Sequence, residues 1–155
     1  MMRTTLCLMT AVALGLTVQS AHAHCEVPCG IYADQLRFQS MLEDQATIEK
    51  ASAQIGELAG KHEAHDLNQL VRWVNTKEDH ASKIQHTIAQ YFMTQRIKAD
   101  GENYAKKLAA AHAVMVAAMK SKQTASPESA AGLKNAIFDF YRAYEGKEPV
   151  LHEHK

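Results

Sequence analysis

The residues best equipped for chemistry lie together near the start of this 155-residue chain. His24-Cys25-Glu26-Val27-Pro28-Cys29-Gly30-Ile31-Tyr32 gathers two thiols, an imidazole and a phenol into one short segment. The Cys25/Cys29 spacing is C-x₃-C, which is neither the redox C-x-x-C nor the haem-attachment C-x-x-C-H motif. Pro28 fixes φ and can turn the chain sharply, letting Cys29 return toward Cys25, and Gly30 permits backbone geometry that other residues resist. If the chain is cut before His24, a free α-amine joins the set, with an ordinary pKa near 8 and so able to bind metal at modest cost. That amine, the Cys25 amide and two thiolates can make a planar N₂S₂ donor set. Such a square suits Ni(II) or Cu(II), whereas zinc prefers a tetrahedron. His24 could add an axial fifth ligand, and anionic amide and thiolate donors favour a higher oxidation state.

Such a cut is written into the sequence. Met1-Met2-Arg3 is a short basic start, Leu6 to Val18 is an apolar run, and Gln19-Ser20-Ala21-His22-Ala23 supplies an Ala-x-Ala cleavage site. The run falls short of the roughly 20 residues that span a bilayer. Residues 1–23 therefore read as a signal peptide removed after Ala23. Export to a periplasmic or extracellular compartment follows, with no stable membrane association after cleavage. Cys7 leaves with the signal, so Cys25 and Cys29 are the mature protein's cysteines. An exported pair is equally free to form a Cys25–Cys29 disulfide loop. A plain disulfide has no use for an amine uncovered immediately before it, and this favours a metal.

Other candidates are weaker. His62-Glu63-Ala64-His65 lacks the four-residue histidine spacing of the zinc-protease motif and falls at an expected chain break, so these read as solvated loop histidines. His152-Glu153-His154 sits in a fraying tail. No glycine-rich phosphate loop or nucleophile elbow is present.

The segment must be carried by helices. Asp34 is placed to cap a first helix bearing Leu36, Met41, Ile48, Ile55 and Leu58 at near-heptad spacing. After a break at Gly60-Lys61-His62-Glu63, Asp66 can cap a second with Leu67, Leu70, Val71, Val74, Ala81, Ile84, Ile88, Tyr91 and Phe92. Thr76 with Asp79 makes a weak capping box that allows a joint at Asn75-Thr76, and an end is expected at Asp100-Gly101. A third helix carries Tyr104, Leu108, Ala111, Met115, Ala118 and Met119. Ser126-Pro127-Glu128 opens a fourth with Leu133, Ile137, Phe140, Tyr141 and Tyr144, and Gly146 closes it. The expectation is all-α: an up-down-up-down four-helix bundle over 33–155, with an N-terminal metal-binding hook over 24–32.

His24-Cys25-x-x-Pro28-Cys29-Gly30-x-Tyr32, followed by a helical body of this length, resembles the nickel superoxide dismutase family. The resemblance implies one nickel per subunit, cycling between Ni(II) and Ni(III). Its ligands would be the His24 amine and imidazole, the Cys25 amide and the Cys25 and Cys29 thiolates. It also implies disproportionation of superoxide to O2 and H2O2, a hook-shaping role for Pro28, and Tyr32 beside the open face of the metal. Glu26 stands where the family commonly has Asp. A Glu and an Arg that hold the axial imidazole in the family align here with Gln39 and His80, a paired change around the imidazole. The family forms hexamers, and an apolar stripe on the first helix is compatible with such assembly. Without turnover, the same ligands would make an exported metal chaperone or sensor; with a disulfide, a structural bundle.

Charge narrows the partners. Lys+Arg and Asp+Glu balance at 17 each, and removing residues 1–23 takes only Arg3, leaving one acid in excess. No long-range field then draws in nucleic acid or an anionic lipid surface.

Overall fold

The computed structural model describes residues 31–149. The signal segment, hook residues 24–30 and the tail containing His152 and His154 lie outside the described residues. Helix α1 spans Asp34–Leu58 and α2 spans Ala64–His86, continuing without interruption as a π-helix over Thr87–Arg96. Helix α3 spans Tyr104–Gln123 and α4 spans Pro127–Glu145. Each helix packs on its neighbours in the chain, and α1 also packs on α4, which closes a four-membered ring. The described residues contain no strand, and no helix among them is long and apolar enough to cross a membrane. The fold is an all-α bundle of four helices.

The core follows the expected periodicity in most places. Met41, Ile48, Ala81, Ile84, Ile88, Ala111, Val114, Ala118, Leu133 and Ile137 are fully buried. Phe38 stands at its centre, with ring centroids 4.8 Å from Phe92, 5.3 Å from Phe140 and 4.9 Å from Tyr141, mostly in the tilted and edge-on geometries that aromatic quadrupoles prefer.

Helix boundaries show where local signals won. Ser126 caps α4 as expected, its hydroxyl accepting from the Ser129 amide at 3.2 Å, with Pro127 following. Gly146 closes the helix at φ 70°, a left-handed conformation that costs glycine little. The break between α1 and α2 falls where expected, and His62 and His65 are exposed.

Other expectations are corrected. Asp34 is the first residue of α1, not its cap; Ala33 holds that position without a side-chain bond. Glu63, not Asp66, occupies the N-cap position of α2. No joint occurs at Asn75-Thr76: the helix continues through it, with the Thr76 hydroxyl donating to the Arg72 carbonyl at 2.9 Å. The helical run stops at Arg96, before Asp100-Gly101. Those residues instead form a turn in which the Gly101 amide donates to the Lys98 carbonyl; a Cβ at Gly101 would lie 3.1 Å from that oxygen.

The apolar stripe expected on α1 is largely spent inside the bundle: Met41, Ile48 and Leu58 are buried, and only Leu36 is well exposed. The exposed apolar face lies instead on α2, where Leu67, Val71 and Val74 recur at i, i+4 and i+7.

Polar groups tie the helices together. Lys77 on α2 is buried, and its ammonium donates to the carbonyls of Ser121 at 2.8 Å and Lys122 at 2.6 Å. It thereby satisfies acceptors left over at the end of α3, where a cation is also favoured by the helix dipole. Gln45 on α1 donates to the Ala130 carbonyl of α4 at 3.1 Å. Lys77→Met keeps the aliphatic stem and removes the donor. It should cost about 1–3 kcal/mol of unfolding free energy in chemical denaturation.

Candidate functional site

Of the expected site residues, Tyr32, Gln39 and His80 fall within the described structure. His24, Cys25, Glu26, Pro28, Cys29 and Gly30 lie outside it. Tyr32 sits two residues before α1 and is 40% exposed. The Arg37 guanidinium lies 4.7 Å from its ring centroid, a cation–π distance. Arg37 Nε is buried and has no hydrogen-bond partner among the described residues, so a cation with an unspent donor stands beside this tyrosine.

Asp34, next but one to Tyr32, gathers groups from two other elements. Its Oδ1 accepts from the Tyr91 hydroxyl at 2.5 Å, and its Oδ2 accepts from the Tyr144 hydroxyl at 2.8 Å and from Arg96 at 2.7 Å. Tyr91 and Arg96 come from the π-helix and Tyr144 from α4. The Tyr91 hydroxyl also lies 3.0 Å from the Tyr32 carbonyl. Its single proton is thus shared between a carboxylate and the backbone just ahead of α1.

The π-helix makes this convergence possible. Residues five apart on an α-helix diverge by about 140° at 3.6 residues per turn. The wider turn closes that angle, so Tyr91 and Arg96 both reach Asp34 while Phe92 enters the core. The widening is visible in i→i−5 bonds: the Ile97 amide donates to the Phe92 carbonyl at 2.8 Å, Thr94 Oγ1 to the Ala89 carbonyl at 2.7 Å, and Gln95 Nε2 to the Gln90 carbonyl at 2.9 Å.

Burial of Asp34 works against its charge, but hydrogen bonds from Arg96, Tyr91 and Tyr144, together with the Arg96 charge, outweigh it and hold the carboxyl below its ordinary range. The same burial, followed by the bond to Asp34, pushes the phenols of Tyr91 and Tyr144 up to about 12 each.

His80 on α2 pairs its Nδ1 with Asp44 of α1 at 2.6 Å, joining the two helices. Burial holds the Asp44 carboxyl above its ordinary range, against the His80 bond. Gln39 is half-buried on α1.

From the sequence pattern Asp34 is a helix cap and Tyr91 and Tyr144 are core positions, and Arg96 has no marked role. The available signal was chemical: a tyrosine at a core position needs a partner for its hydroxyl. Its partner lies far away in the chain, so periodicity does not disclose it.

The sign of these shifts fixes a pH dependence. Asp34 is depressed on folding, so its contribution to stability is present above the unfolded carboxylate value and is lost as pH falls through the folded one. Tyr91 and Tyr144 are raised, so their contribution is whole below about 10 and is lost as pH rises toward about 12. The denaturation midpoint should therefore drop between about pH 10 and 12, in step with late phenol ionisation followed by absorbance. Tyr144→Phe should flatten that drop.

Among the described residues no three His, Cys, Asp or Glu side chains converge to hold a metal. All the cysteines of the chain, Cys7, Cys25 and Cys29, precede the described residues. Thiolate donors can therefore come only from the part of the chain that precedes the bundle.

A profile of nickel-containing superoxide dismutase matches residues 19–148, spanning the cysteine-bearing segment and the whole bundle. No curated protein and no solved structure shows a significant match. With that match over most of its length, the chain belongs to the nickel-containing superoxide dismutases, oxidoreductases that act on superoxide with a nickel cofactor.

Proposed function

We propose that nickel is held by the N-terminus created by cleavage after Ala23, with His24, Cys25 and Cys29 as its ligands and Tyr32 beside it. One observation carries this reading: the bundle offers no cluster of metal-binding side chains among the described residues, whereas both mature cysteines lie in one short segment. The donor set fits nickel. Two thiolates, an amide and an amine favour a planar d⁸ ion over zinc, and the α-amine and thiols must lose protons to bind.

Bound nickel supplies one-electron redox chemistry between Ni(II) and Ni(III), so that two superoxide anions and two protons become O2 and H2O2. The chain's own residues do the rest. Cleavage frees the His24 amine. Pro28 and Gly30 would shape the turn between Cys25 and Cys29, and Glu26 would pack the hook. The Tyr32 phenol orients water or the incoming anion by hydrogen bonding, without becoming a ligand. Arg37, stacked on that phenol ring, supplies local positive charge of the sign that draws in superoxide, which matters in a chain with no net cationic field.

Gln39 and His80 would support the His24 imidazole from the bundle, and such supporting groups tune a metal more than they retain it. In this reading the protein works after export, in the periplasm or outside the cell. It assembles as a hexamer, for which Leu67, Val71 and Val74 of α2 supply an exposed apolar face. The competing reading, a metal chaperone or sensor, uses the same ligands without turnover.

Intact mass, metal content and superoxide turnover measured on the processed chain test the site together. A mature chain beginning at His24 with nickel and turnover is expected. A chain starting at Ala23 or earlier would lock the amine in a peptide bond and end the nickel-hook proposal. Cys25→Ser or Cys29→Ser should abolish turnover while leaving the helical CD signal intact. His24→Ala should still bind nickel but turn over poorly.

A further inference from the structure

We propose that Asp34 and Tyr91 form a latch that positions Tyr32, and through it the C-terminal end of the hook, relative to the bundle. The inference rests on the nickel-hook reading and adds positioning residues that the hook motif does not contain. Tyr32 itself precedes the first helix and is substantially exposed, so local structure alone does not fix it. A tertiary contact does. The Tyr91 hydroxyl touches the Tyr32 carbonyl at 3.0 Å and the Asp34 carboxylate at 2.5 Å.

The tyrosine is almost fully buried, and its ring packs edge-on against Phe92 with centroids 5.1 Å apart, so its hydroxyl is a fixed point. Asp34 is fixed in turn by Tyr144 and Arg96. The carboxylate thus ties three elements together at the place where the chain leaves for the hook. π-Helical turns are rare and concentrate at functional sites, and this one is what carries Tyr91 and Arg96 to a common carboxylate. A phenol that orders water or superoxide must be held closely, because small misplacements of a positioning group cost rate steeply.

The test compares two deletions of a phenolic hydroxyl in the processed protein. Tyr91→Phe removes the latch. Tyr141→Phe removes a hydroxyl bonded 3.1 Å away to Gln35, in the same first turn of α1, touching neither Asp34 nor Tyr32. Both keep the ring that packs the core, so both should retain the helical CD signal and similar thermal midpoints. Amide hydrogen exchange at residues 32–36 of the apo chain should quicken about tenfold in Tyr91→Phe and stay within about twofold of wild type in Tyr141→Phe. In the nickel-loaded protein, kcat/KM should fall about tenfold in Tyr91→Phe and hold within about twofold in Tyr141→Phe. Asp34→Asn should reproduce the exchange result by an independent substitution.

Unchanged exchange in Tyr91→Phe overturns the latch. Faster exchange with undiminished kcat/KM also overturns it, since the contact would then be structural only, and equal losses in the two variants do the same. Absence of turnover in the wild-type holoprotein would instead count against the nickel-hook reading, and the exchange measurement on the apo chain would still decide whether the latch exists.

Discussion

The architecture turns on one carboxylate. Asp34 stands at the start of the first helix, where the helix dipole favours an anion, and it accepts from two phenols at the edge of the core and from the more exposed Arg96 guanidinium. The interaction is costly to desolvate and worth forming only because every partner is satisfied at once. Its consequence is geometric. The residues that lead into the first helix, the π-helix and the last helix are held to a common point.

Below this polar junction lies the aromatic cluster around Phe38, in which Phe92, Phe140, Tyr141 and Tyr144 meet. Junction and cluster share residues: Tyr144 gives its ring to the apolar side and its hydroxyl to Asp34. A bundle core of this kind does not itself imply an activity. Here it presents a packed aromatic core beneath the Asp34 junction, and in the proposed reading the metal donors come from the short cysteine-bearing segment that precedes it.

The second helix shows how the same sequence element serves two purposes. Its C-terminal half and the π-helix bury Ala81, Ile84, Ile88 and Phe92, whereas its N-terminal half leaves Leu67, Val71 and Val74 on the surface. The apolar pattern is continuous across both halves. Periodicity reports that a face is apolar and does not report which surface covers it.

What the sequence determined by itself was local. Helical periodicity, the Ser126-Pro127 start, the Gly146 stop and the spacing of His24, Cys25, Pro28, Cys29 and Tyr32 depend on neighbours a few residues apart, and each is legible without coordinates. Only the tertiary structure decided that Asp34 serves Tyr91, Tyr144 and Arg96 rather than capping a helix, that Lys77 closes the end of α3, and that His80 pairs with Asp44. Each of these joins groups from different helices, dozens of residues apart in the chain. Their partners are selected by how the helices pack, and the π-helical widening that aligns Tyr91 with Arg96 carries no compositional mark. A donor's type can be read from one residue, but its partner depends on where the fold places another.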